Sequence, residues 1–143
     1  MTDEQPRVLC VDDDTRTLEI LSKIMAHLPV QHTTALSPHA ALEEARRFQP
    51  HLLVLDLMLP EMTGWELLDQ IRAATPGTQM RVIVLTAKDS GFERLVAANL
   101  ARVDLFLAKP FDTAELARSI LRILELPIGD AWPGPEPKTA SGR

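Results

Sequence analysis

HLLVLDLMLPEMTG, residues 51–64, is the stretch from which the rest of the chain is read. Four apolar residues, Leu52 to Leu55, run straight into Asp56, and a turn carrying Pro60 and Gly64 follows. A short apolar run bounded by turn residues reads as a buried strand. A carboxylate at the end of such a strand is costly unless a cation or hydrogen-bond donors meet it there. What meets Asp56 is therefore the question put to the remaining sequence.

Upstream, RVLCV (7–11) is a second buried strand, and Asp12, Asp13 and Asp14 follow it at once. Asp14 is placed to cap a helix whose apolar face is Leu18, Leu21, Met25 and Leu28, stopped by Pro29. Capping explains one of the three acids and leaves Asp12 and Asp13 crowded at a strand end. Val30 to Leu36 is a more polar strand suited to a sheet edge. Ser37-Pro38 then opens a helix with Ala41, Leu42, Ala45 and Phe48 inward, ending before Pro50.

Downstream, Thr63 and Glu66 have capping-box spacing ahead of Leu67, Leu68 and Ile71. After a Pro76-Gly77 loop, Met80 to Leu85 is an apolar run broken only by Arg81 and ending in Thr86. Ser90 and Glu93 repeat the capping spacing, with Phe92, Leu95, Val96 and Leu100 on one helical face. Val103 to Ala108 is a fifth strand ending in Lys109-Pro110, and Asp112 and Glu115 open a last helix striped by Leu116, Ile120, Leu121 and Leu124.

Five alternating strands and amphipathic helices imply an α/β fold, a mostly parallel sheet with helices on both faces. Right-handed crossovers leave few windings, and a polar second strand at the edge selects the flavodoxin-like (βα)5 doubly wound order 2-1-3-4-5. The carboxyl ends of the strands then share one edge, with strands 1 and 3 adjacent at the switch point. Asp12, Asp13 and Asp56 converge there, with Thr86 and Lys109 on the far side. Three close carboxylates raise one another's pKa unless a cation sits among them, and oxygen ligands of this kind suit Mg²⁺, with Mn²⁺ a second choice. Nucleophilic carboxylate, divalent ion, hydroxyl and ammonium together make a site for phosphoryl transfer onto Asp56. Each residue alone has a plainer account: an acidic pair after a strand is more often a helix cap than a metal site. The coincidence of all of them on one edge carries the reading.

The totals agree with this and exclude other classes. A chain of 143 residues has a single-domain length. A net charge of −5 argues against a nucleic-acid-binding surface as the main feature. No apolar run approaches a membrane span of about 20 residues, and MTDEQPR is too polar and acidic for a signal peptide. The single cysteine, Cys10, cannot form an internal disulfide and fits a reducing cytoplasm as a small core residue. Histidines 27, 32, 39 and 51 lack metal-ligand spacing and read as surface or edge residues, and no phosphate-cradling Gly-rich loop is present.

VLCVDDD (8–14), LLVLDLMLPEMTGWEL (52–67), VIVLTA (82–87) and DLFLAKPF (104–111) together resemble the receiver domain of bacterial two-component response regulators, the CheY-like family. The matching pieces span residues 7 to about 125, so the receiver is expected over 1–126, and 127–143, with four prolines, three glycines and no periodicity, reads as a flexible tail or linker. The resemblance implies that Asp56 accepts a phosphoryl group from a histidine kinase or phosphotransferase. It further implies Mg²⁺ on Asp12, Asp13, Asp56 and the Met58 backbone carbonyl, and phosphoryl binding by Thr86 and Lys109. Phe106 matches an aromatic that swings inward when the threonine moves, although a fixed core ring explains it equally well. Met58 and Lys88 occupy positions that tune dephosphorylation, and the Lys109-Pro110 bond matches one that is usually cis. Where the family often has Gly-Ala-Asp-Asp before the last strand, this chain has Arg102, Val103, Asp104 and Leu105. That departure puts the family's dimer contacts and output face in question, but not the phosphorylation site.

The receiver reading makes the chain a phosphoacceptor switch that catalyses its own phosphorylation and dephosphorylation rather than an enzyme acting on other substrates. A homodimer on phosphorylation and a downstream protein partner are its expected outputs, either as a stand-alone receiver or as part of a longer protein. A Mg²⁺-dependent phosphatase of the haloacid dehalogenase type would need a second Asp at position 58, where Met58 stands. A flavin carrier of the same fold would have its phosphate repelled by Asp12 to Asp14. A receiver-like module that is never phosphorylated is the remaining alternative.

Overall fold

The computed structural model describes residues 5–77, 79–87, 91–99 and 101–127. Strands β1 (Arg7–Val11), β2 (Gln31–Ala35), β3 (Leu52–Leu55), β4 (Arg81–Ala87) and β5 (Leu105–Lys109) alternate with helices α1 (Thr15–Ala26), α2 (Pro38–Phe48), α3 (Gly64–Ala74), α4 (Phe92–Ala98) and α5 (Thr113–Ile123). The strands form one parallel sheet in the order β2-β1-β3-β4-β5, which is the expected flavodoxin-like winding.

Every residue of β3 is buried because helices cover both sheet faces, and successive side chains enter opposite layers. Val8, Cys10, Leu52, Val54, Ile83 and Leu85 pack on one side with α1 and α5. Leu9, Val11, Leu53, Leu55, Val82 and Val84 pack on the other with α2 and α3. Strand β2, QHTTA, buries only Ala35 and lies at the edge. Cys10, fully buried in β1, has its thiol pushed up to about 12 by that burial.

Local chemistry sets most helix starts. The Asp14 side chain accepts from Arg16 N (2.9 Å), Ser37 from Ala40 N (3.1 Å) and Asp112 from Glu115 N (3.0 Å). Thr63 and Glu66 close a full capping box: Glu66 N donates to Thr63 Oγ1 at 3.1 Å and Thr63 N to Glu66 Oε1 at 3.0 Å. Helix α4 differs. Its N-cap is Gly91 with no side-chain cap bond, and Ser90, read as the start of a capping pair, lies outside the described residues.

Several strand limits also move: β2 is Gln31–Ala35 rather than Val30 to Leu36, and β4 starts at Arg81 rather than Met80. Strand β4 runs past Thr86 to Ala87, which pairs with Lys109. Strand β5 begins at Leu105 rather than Val103, because Asp104 turns its carboxylate onto β4, where Oδ2 accepts from Val82 N at 2.7 Å. Gly64, expected in a turn, is instead the first residue of α3. A Cβ there would lie 2.7 Å from Leu57 Cα and 2.8 Å from Leu57 Cδ2. Only glycine lets α3 approach the segment after β3 so closely, and Gly64 N donates to Leu57 O at 3.0 Å across that contact.

Candidate functional site

Strands β1 and β3 are adjacent and in register, so the residues that follow them emerge side by side. Asp12 N donates to Ala35 O (3.2 Å) and Asp56 N to Val11 O (3.1 Å), which fixes both backbones beyond the strand ends. Asp12 and Asp56 are 1% and 7% exposed, whereas Asp13 is open to solvent. One carboxylate oxygen from each of the three lies within 4.8 Å of the others.

Each buried carboxylate is held in the same two-sided way. Asp12 Oδ1 accepts from Asp14 N at 2.9 Å and Asp56 Oδ1 from Met58 N at 3.0 Å. The Lys109 ammonium sits between the second oxygens, 2.6 Å from Asp12 Oδ2 and 3.1 Å from Asp56 Oδ2. Burial raises the Asp12 pKa above the ordinary aspartate range; the Lys109 hydrogen bond, the Asp14 N–H and the Lys109 charge oppose that shift without cancelling it. For Lys109, burial works to lower the pKa, but its bonds to and the charges of Asp12 and Asp56 outweigh burial and raise it. The contrast follows from exposure. The Asp12 side chain is 2% exposed and has little hydration left, while Lys109, at 21%, keeps some water and has two counter-charges.

Three carboxylate oxygens grouped at a partly open mouth are the donor set a hard divalent cation takes. The residues present therefore fit Mg²⁺ or Mn²⁺. Thr86 is buried near the end of β4, paired with Ala108, one position before the Ala87–Lys109 pair. Met58 follows Asp56 by two residues, with its side chain 70% exposed. The Lys109–Pro110 peptide is cis. Lys88 lies outside the described residues.

Phe106 pairs with Val84 on β4 and is half-buried. Its ring meets that of Trp65 edge-on, with centroids 6.3 Å apart and planes at 62°. The Arg102 guanidinium lies 4.8 Å from the Trp65 ring centroid and is bonded to Asp69 Oδ1 at 2.6 Å. The sequence reading assigned nothing to Trp65 or Asp69. Their only signals were a tryptophan at the start of α3 and the unusual arginine at position 102. Of the histidines, His51 is more than an edge residue, since its Nδ1 accepts from Arg7 N at 2.9 Å.

A family model described as the response regulator receiver domain matches residues 8–121. The chain belongs to this family. The receiver is 38% identical over 124 residues to a probable transcriptional regulatory protein, TcrX, of Mycobacterium tuberculosis, covering 84% of this chain and 52% of that one. It is 30% identical over 118 residues to the alkaline phosphatase synthesis transcriptional regulatory protein PhoP of Bacillus subtilis, covering 82% and 48%. The chain thus spans about half the length of the curated relatives it matches. Among solved structures, a CheY-like receiver domain protein from Methanospirillum hungatei superposes with a TM-score of 0.73 at 27% identity, covering 85% of this chain and 95% of that one. The BeF3-activated DrrB receiver domain superposes with a TM-score of 0.71 at 29% identity, covering 85% and 98%. Among the described residues, no helix of this receiver is long and apolar enough to cross a membrane.

Proposed function

We propose that this receiver accepts a phosphoryl group on Asp56 from the phosphohistidine of a histidine kinase or histidine phosphotransferase. A carboxylate oxygen of Asp56 forms the new P–O bond as the donor's P–N bond breaks, and the imidazole leaves with the bonding electron pair. The acyl phosphate ends when water attacks phosphorus, which releases inorganic phosphate and restores the carboxylate. Lys109 neutralises charge on the phosphoryl oxygens, and the Thr86 hydroxyl donates a hydrogen bond to one of them. Asp12, Asp13 and Asp56, with the Met58 backbone carbonyl, would hold Mg²⁺ or Mn²⁺, which supplies further positive charge to the transferring group. Met58 and Lys88 tune the rate of dephosphorylation. Phe106 follows Thr86, and the surface around α4 and β5 then acts on a partner protein or a second copy of the chain.

The observation that carries this reading is the ammonium of Lys109 seated between Asp12 and Asp56, beside the exposed Asp13. Acetyl phosphate with Mg²⁺ is expected to add one phosphoryl group, read by intact mass, to the wild type. Asp56→Asn should stay unmodified, as should the wild type in excess EDTA. A wild-type protein that remained unlabelled with Mg²⁺ would overturn the proposal.

A further inference from the structure

Three α3 residues, Trp65, Asp69 and Arg72, follow one another at spacings of four and three and so lie along one helix face. All three grip Arg102, a single residue of the segment leading to β5. Asp69 Oδ1 accepts from the Arg102 guanidinium at 2.6 Å, and Trp65 offers that guanidinium its ring at 4.8 Å. Arg72 Nη2 donates to the Arg102 carbonyl at 3.3 Å. The Trp65 ring, oriented by this grip, also meets the edge of Phe106. Phe106 and Ala108 pair with Val84 and Thr86, so ring and hydroxyl share one sheet face, one pair of residues apart.

We infer that Arg102 and Trp65 are positioning residues that hold Phe106 in its present place and so set how readily the Asp56 site takes up a phosphoryl group. The inference rests on the reading of Phe106 as a group that moves with Thr86. It takes the Trp65–Phe106 contact as one that phosphorylation breaks; such a contact lowers the fraction of molecules competent to bind, and with it the apparent affinity for a phosphoryl mimic. An arginine that merely pinned the loop to α3 would change stability and leave that affinity alone.

The test measures beryllofluoride affinity with Mg²⁺ in the full chain. Emission from Trp65, isolated by Trp132→Phe, serves as readout and is expected to shift on binding. Arg102→Ala should bind about threefold more tightly than its parent, the scale of one exposed cation–π contact. Arg102→Lys, which keeps the ion pair with Asp69 but loses the flat stack, should fall between and covers the case in which the alanine variant misfolds. In a Phe106→Ala background, read by calorimetry, the Arg102 substitutions should have no effect. Unchanged or weakened affinity in both Arg102 variants would overturn the inference, as would equal tightening with and without Phe106 or a silent Trp65. Failure of acetyl phosphate to label the wild type would instead remove the underlying reading.

Discussion

Asp12 and Lys109 answer burial in opposite senses, and that difference has a measurable consequence. With its folded pKa raised, Asp12 holds its proton in the native protein over a range where the unfolded chain has already released it. Stability of the metal-free protein therefore falls as pH rises from the ordinary aspartate value toward the raised one, and stays lower above it. Asp12→Asn removes that fall. In EDTA, urea unfolding should show the two proteins alike at low pH and the variant more stable at neutral pH; a wild type more stable than Asp12→Asn at neutral pH would contradict the argument. Gly64 makes a second case. Its substitution by Ala forces a Cβ into Leu57 backbone and should cost about 1–3 kcal/mol in urea unfolding, the range for overpacking. Asp12, Asp13, Asp56 and Lys109 were legible because strand ends are legible and topology gathers them. The need for Gly64 was not, because it depends on a distance between two segments that only packing sets.

Among the elements, capping separates what local sequence decides from what packing decides. Thr63 starts α3 through a reciprocal pair of bonds with Glu66. Thr63→Ala should lower stability by about 1 kcal/mol in thermal or urea unfolding, and Thr63→Ser should retain most of it. The same Ser/Thr-x-x-Glu spacing before α4 does not place the cap, since that helix starts from Gly91 without a side-chain bond. Spacing can locate a potential cap, but the turn at which a short helix begins is chosen by its neighbours. The start of β5 is a similar case: Val103 and Asp104 look strand-like or neutral in sequence, yet the Asp104 carboxylate claims a β4 backbone N–H and ends the regular pairing.

For the whole molecule, strand order was readable because each covered strand is apolar on both faces while β2 is not. The layering that follows places β1 between β2 and β3, with Cys10 on it, fully covered and with its thiol pushed up to about 12. Only the thiolate reacts with disulfide reagents at a useful rate, so the native chain presents them with nothing. The sole cysteine of the sequence thereby becomes a built-in clock for rare opening. Its labelling by a disulfide reagent should proceed at the rate at which β1 separates from its neighbours, and no faster as reagent concentration is raised to saturation. Because β1 leads directly into Asp12, Mg²⁺ taken up there should slow the clock, and Asp13→Asn should erase that slowing. Fast stoichiometric labelling without denaturant would show that β1 parts readily from its neighbours near the β2 edge of the sheet. A slow, metal-sensitive rate would tie occupancy at one edge of the sheet to the lifetime of its core.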